Sequence, residues 1–434
     1  MRLSRVVLSA TLTLALAGLA SHVPGATGVA AGNWPQWRGP QRNGLSPEIG
    51  LLASWPQAGP PLAWTGKGLG TGFSSLAVVG GRIYTMGDRR DGQYVIALNE
   101  ENGQTVWSTR VGGTHNDEYG GPRCTPSVDG ELLYVVTTDG DVVSLESATG
   151  RERWRRSLPG DFGGRMMSSW MFAESPLVDG VRVVVTPGGS RAGIVALNKR
   201  TGADIWRAAI PNFGSAGADG AGYSSIVISN GAGVKQYIQL MGRGIVSVRA
   251  SDGVFMWGYN RIANNVANIP TPVVSGNLIF ASTGYGDGGS AILEVTPAAN
   301  GRVSVAERQY FSSSQLQNHH GGFVLIDGVI YGGHGHNNGF PFALELATGQ
   351  RLWDRNIRGA GTGSAAVVAA ERHLYFRYQN GIMALVAANP KQYDLRGSFT
   401  IPNVRNPSWS HPVITGGRLY LREQDALYAY AIQR

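Results

Sequence analysis

A single cysteine stands in 434 residues, and charged side chains make up only 15% of them. Cys124 has no partner within the chain, so no intramolecular disulfide forms in any redox compartment. No Cys-x-x-Cys-His is present to attach a c-type haem. Charge is well below the usual share of roughly 25%. With 42% hydrophobic residues, that balance excludes a disordered chain. Ala, Glu, Lys, Leu and Arg do not dominate, which excludes sustained heptads. The 63 glycines show no strict period of three, which excludes collagen. There is no Gly-x-Ser-x-Gly elbow, no His-Glu-x-x-His and no P-loop. The formal charge of +8 is spread without any Lys/Arg block, so nucleic acid is not indicated as a partner.

The N-terminus reads as an export signal over residues 1–30. Arg2 and Arg5 precede an uncharged apolar run, Val6 to Ala20. Gly18-Leu19-Ala20 and Val29-Ala30-Ala31 offer small residues for cleavage. The alternative is a membrane anchor, but the run is about 15 residues and a span needs about 20. No later stretch is long and apolar enough to cross a bilayer. No cysteine follows the signal to carry a lipid. The expected location is periplasmic or secreted.

What the sequence has in abundance is glycine, and it is periodic. Trp107, Trp154, Trp206, Trp257 and Trp353 each follow a turn glycine by four residues: Gly103, Gly150, Gly202, Gly253 and Gly349. Neighbouring intact copies are 47 to 52 residues apart. Asn300-Gly301 continues the series with Val305 where Trp would stand, and Leu395 and Phe399 mark a degenerate copy. Each copy holds short Val-, Ile- and Tyr-rich runs cut by Gly or Asn-Gly turns, which are strands in antiparallel hairpins. Eight copies of four strands predict an eight-bladed all-β propeller over residues 61–434, preceded by an extension over 31–60. The last copy has three runs. Pro61–Gly66, with Trp64, is expected to supply its fourth strand, because an open ring would leave two sheet edges unpaired.

The unit Ala-Leu-Asn-x-x-x-Gly-x-x-x-Trp resembles the pyrroloquinoline quinone (PQQ) repeat. The opening Trp34-Pro35-Gln36-Trp37-Arg38-Gly39-Pro40, then Arg42-Asn43-Gly44, is similar to the start of exported PQQ-binding-like β-propeller proteins of bacteria. Gly121-Pro122-Arg123-Cys124-Thr125-Pro126, Asn318-His319-His320-Gly321-Gly322 and Trp409-Ser410-His411-Pro412 match further. The resemblance covers residues 34–434 and implies the quinoprotein alcohol dehydrogenase-like superfamily. It carries fold more than activity.

Strand alternation puts the links from fourth to next first strand on the same face as the second-to-third hairpins. Six of the eight histidines fall on that face: His115, His319, His320, His334, His336 and His411. Arg123, Trp170, Glu174 and Trp409 join them, with Asp287, Asn337, Asn338 and Arg377 around the rim. First strands line the central channel, so Arg123, Glu174, His320 and His411 are expected at its mouth. Trp170 and Trp409 lie off the repeat period, where an indole can stack on a flat ligand or anchor a long loop. The bland alternative for all of these is that loop side chains bond loop backbone. His334-x-His336 alternates as along a strand and could put both rings on one side, but no metal site is assigned from it.

In quinoprotein alcohol dehydrogenases an adjacent cysteine pair lies under the cofactor, a Glu and an Asn hold calcium, and an Asp is the base. The resemblance therefore raises PQQ with calcium as a cofactor, although the cysteine pair is impossible here. Glu174, Asn265, Asn268 and Asp287 are the available oxygen ligands. Three functions stand open: a ligand- or protein-binding assembly module, a PQQ- or metal-dependent oxidoreductase, and a carbohydrate- or polymer-active protein. The binding module leads, with an envelope protein or a small polar ligand at the His-bearing face. The chain is expected to be a monomer.

Overall fold

The turn glycines and the tryptophans four residues beyond them meet across neighbouring repeats, and this contact explains the spacing. In the computed structural model, which describes residues 32–405 and 407–434, Gly253 has φ +75°. A Cβ there would stand 2.5 Å from the Trp206 ring of the preceding repeat. Gly103 meets Trp64, Gly150 meets Trp107 and Gly202 meets Trp154 in the same way. The indoles also donate forward to backbone carbonyls: Trp107 to Ser147, Trp154 to Lys199, Trp206 to Ala250 and Trp353 to Asn389. Four junctions are thus bolted by one flat ring lying on a position without a side chain, whereas Gly349 faces Gln309 instead.

The repeats form eight antiparallel sheets arranged as the blades of a propeller. The first blade is Ala77–Val79, Arg82–Arg89, Gly92–Asn99 and Thr105–Gly112 in that order. The ring closes as the incomplete last copy requires. Leu62–Gly66 pairs antiparallel with Ala426–Ala431, Trp64 opposite Ala429. The fifth blade needs no tryptophan. Its third and fourth strands, Gly289–Ala298 and Arg302–Ser312, are long, with Val305 opposite Val295.

The sixth blade departs from the expected pattern. Among the described residues it has three strands, and the run before Trp353 makes one isolated bridge, Leu344 to Arg351. The Asp354 carboxylate accepts the Asn356 amide at 2.7 Å, folding the chain into a turn that ends the pairing. Trp353 is nevertheless buried, against Tyr331 and Tyr393.

Residues 34–48 run through the middle of the ring and bond to seven of its eight blades or the loops entering them. Trp34 exchanges two backbone bonds with Val78, and the Pro35 carbonyl accepts from Val128. Arg42 donates to the carbonyls of Ser175 and Pro176. Trp37 donates to Thr271 and Arg38 to Phe323. The Gly44 carbonyl accepts from Ala369, beside the parallel pairing of Leu45–Ser46 with Ala365–Ala370. Ser46 donates to Ile414. The expected export signal, 1–30, lies outside the described residues.

Candidate functional site

The loops between blades converge on a cavity of about 300 Å³ at one end of the channel. Seven of the ten residues singled out above line it: Arg123, Trp170, His319, His320, His336, Trp409 and His411. The links from fourth to first strand contribute most of the wall. Tyr285, His336, Asn337 and Gln379 come from second-to-third hairpins on the same face.

Aromatic rings form a nearly continuous belt. Trp409 lies 5.1 Å from both Phe73 and Tyr119, and 4.2 Å from His320. His320 stacks on His319 at 3.5 Å, and His319 meets Tyr285 at 4.8 Å. Tyr285 stacks with Trp170 at 6.4 Å. The floor is Trp37, 4.5 Å from the His411 ring, and Arg38. The belt is tied to backbone and amides. Trp409 donates to Gln379 Oε1 at 2.9 Å, and Arg123 donates to the carbonyls of Tyr119 and Trp170.

The imidazoles are neutral. Burial holds His319 and His411 down at about 3, with His336 and Arg38 respectively adding repulsion. His320 is pushed well below its ordinary value, and His336 is lowered, both by burial first. Burial also lowers the Arg123 guanidinium, and brings Arg38 to about 10. No Asp or Glu lines the cavity among the described residues, so the two arginines are its fixed charges.

Three expected residues stand elsewhere. Glu174 does not reach the channel mouth. It is buried between blades, where Thr186 and Gln239 donate to its carboxylate, and burial pushes it up to about 8. His115 pairs with Asp117 at 2.8 Å in an outer loop, beside a separate hollow. His334 and His336 do not share a side. Gly335 at φ 89° and His336 at φ 45° break the strand, so His336 turns to the cavity while His334 accepts from the Gln317 amide. Arg377 is not on the rim but fully buried, paired with Glu423 at 2.8 Å.

The oxygen ligands suggested for calcium do not converge. Both Glu174 oxygens are taken by neighbours, Asn268 donates to the carbonyls of Met241 and Gly242, and Asp287 accepts from the Asn265 amide. Among the described residues no group of three or more His, Cys, Asp or Glu could hold a metal ion. A quinone held through calcium does not fit this donor set, since a hard cation needs several oxygens around one point.

Repeat, ring closure and cavity together define a PQQ-repeat β-propeller of the quinoprotein alcohol dehydrogenase-like superfamily. The family model described as outer membrane protein assembly factor BamB matches residues 91–355, and the chain belongs to that family. It is 26% identical over 303 residues to the outer membrane protein assembly factor BamB of Yersinia pestis, covering 66% of this chain and 69% of that one. The crystal structure of BamB from Moraxella catarrhalis superposes with TM-score 0.55 at 15% identity, covering 83% of this chain and 94% of that one. Quinohemoprotein alcohol dehydrogenase from Comamonas testosteroni superposes with TM-score 0.65 at 13% identity, covering 92% and 80%. At these identities the two structures speak for fold alone.

Sequence reasoning missed Phe73, Tyr119, Tyr285 and Gln379, which belong to no motif, and also the floor residues Trp37 and Arg38. The last two were visible as part of the opening motif, but that motif lies outside the repeat whose geometry placed the others.

Proposed function

We propose that this protein is a binding propeller of the bacterial envelope, exported by residues 1–30 and monomeric, whose working surface is the face bearing the cavity. The observation that carries this reading is the composition of the wall: rings, neutral imidazoles and two arginines, with no carboxylate among the described residues. Such a wall binds through stacking and hydrogen bonding. It is poorly equipped for proton abstraction, because imidazoles held near 3 are weak bases at neutral pH. Membership of a family described by outer membrane protein assembly supports an assembly role, with an envelope protein as partner or a small polar ligand in the cavity.

The test is site-specific photocrosslinking in the envelope. A crosslinking amino acid at Gln379, on the cavity wall, should capture a partner. The same group at Thr149 or Thr201, in the turns of the opposite face, should not. Capture from the turns with none from the wall overturns the choice of face. The oxidoreductase reading has its own check, a visible-range spectrum after incubation with PQQ and calcium. A calcium-dependent bound-quinone band at one per chain would restore it.

A further inference from the structure

The cavity holds a mismatch between polar atoms and partners. Arg38 is 4% exposed and donates through Nη2 to the carbonyls of Phe323 and Asn43, but its Nη1 has no partner. This is a buried cation with an idle donor, on the floor of a cavity that no carboxylate lines among the described residues. Burying an ionised group without a counter-charge is costly, and leaving its N–H unsatisfied adds to that cost. Arg42, its neighbour in the same segment, donates through both terminal nitrogens, to Gln36 and to the carbonyls of Ser175 and Pro176; Arg38 leaves Nη1 idle.

Two imidazoles present the opposite deficit. His319 Nδ1 faces Asn337 Oδ1 at 2.7 Å and the Ser364 hydroxyl at 2.9 Å; with Ser364 donating to Asn337 Oδ1, we assign the proton to Nδ1, which leaves Nε2 with a bare lone pair. His411 Nε2 faces the His320 carbonyl at 3.3 Å, which likewise leaves Nδ1 bare. Both bare nitrogens are buried without partners, and both residues line the cavity. Arg38 and His411 come together at Gly322: a Cβ there would stand 2.9 Å from Arg38 Nη1 and 3.8 Å from His411 Cε1.

The missing occupant must therefore accept from a guanidinium and donate to an imidazole. Its body must be flat and largely apolar, because the wall above is the ring belt of Trp409, Trp170 and Tyr285. A cation is disfavoured by both arginines. A purely apolar guest would leave every one of these polar atoms unpaired.

Resting on the reading of this cavity as the binding site, we infer that it takes a planar hydroxyaryl carboxylate, the carboxylate oxygen accepting from Arg38 and the hydroxyl donating to a bare imidazole nitrogen of His319 or His411. Binding is reversible and involves no covalent step.

Calorimetric titration of the mature chain at pH 7 with three probes decides it: 4-hydroxybenzoate, benzoate and 4-hydroxybenzyl alcohol. A charge-assisted bond and a buried neutral one set the expected order. The hydroxy acid should saturate one site, with the alcohol about tenfold weaker or more and benzoate weaker by at least about threefold. In His319→Phe the preference for the hydroxy acid over benzoate should shrink while the preference over the alcohol survives. In Arg38→Gln, if folded, the preference over the alcohol should vanish; the probe series decides the question even if that variant does not fold. Acid and alcohol binding within twofold of each other overturns the anion assignment and leaves the cavity as a binding site. No saturable binding of any probe at millimolar concentration overturns the inference as well. The crosslinking result is independent of these titrations and reports separately on the binding-face reading.

Discussion

Replacing Gly253 with alanine tests the contact that joins one blade to the next. Two costs act there. At φ +75° an alanine meets the left-handed penalty of about 1–2 kcal/mol. Its Cβ would also stand 2.5 Å from Trp206 Cε3 and 2.9 Å from Cδ2, so the indole must move. The ring cannot retreat freely, because it is 8% exposed, stacks on Tyr237 at 6.1 Å and donates to the Ala250 carbonyl at 3.3 Å. Overpacking of this kind costs about 1–3 kcal/mol. Gly276 is the control: its φ is +58°, and nothing lies within 4 Å of an added Cβ. Gly276→Ala should therefore cost about 1–2 kcal/mol, the backbone part alone. Gly253→Ala should cost about 2–5 kcal/mol, the sum of both parts. Guanidinium unfolding with matched m-values measures the difference. Equal losses in the two variants would show that the turn glycine serves backbone conformation only, and the ring-on-glycine account of the repeat would fail.

Trp206→Ala should destabilise by roughly 3–5 kcal/mol, the usual result of deleting a buried aromatic. Trp409→Ala should lose less, because its ring is only partly buried; equal losses in chemical denaturation would contradict the distinction between the repeated tryptophans and those in the loops. Deleting the chain through Gly66 removes the strand opposite Ala426–Ala431, so cooperative unfolding should be lost or the protein should aggregate. Unchanged stability of that deletion would refute ring closure. For pH, the folded value of His411 is about 3 and its ordinary value 6.5, so between them the unfolded chain binds more protons and stability falls as pH falls. His411→Phe should remove about 1.4 kcal/mol per pH unit from that slope, whereas identical slopes in unfolding titrations would place the imidazole in water.

The repeat was legible because one contact recurs. A tryptophan that must lie on a bare glycine leaves both residues at fixed spacing in the sequence, and the last copy's missing strand then points to Trp64. The face bearing the histidines was legible from strand alternation, since second-to-third hairpins and fourth-to-first links must share an end. Depth was not. Glu174 and His320 both stand near the start of a first strand, yet Glu174 turns between blades to Thr186 and Gln239 while His320 lines the cavity. That choice depends on partners contributed by neighbouring second strands. Arg377 and Glu423 illustrate the same limit, because a buried ion pair 46 residues apart leaves no local trace. The lost fourth strand of the sixth blade was hidden by Trp353, whose burial survives without the ladder.

A propeller channel is open at both ends, so a cavity at one end needs a floor that no blade provides. Residues 34–48 supply it. Their backbone and side chains bond to the inner strands or to the loops that enter them, and the segment cannot leave without unpairing polar groups on most of the ring. Arg38 and Arg42 both adopt positive φ there, 59° and 55°, a conformation that non-glycine residues hold only when their surroundings fix it. The strained backbone is what aims one guanidinium at the carbonyls of Ser175 and Pro176, and the other at Phe323 with one nitrogen left unpartnered beside Gly322. The residues that seal the channel are therefore also the ones that give the site its charge. A change in this segment should alter binding before it alters the fold of any blade.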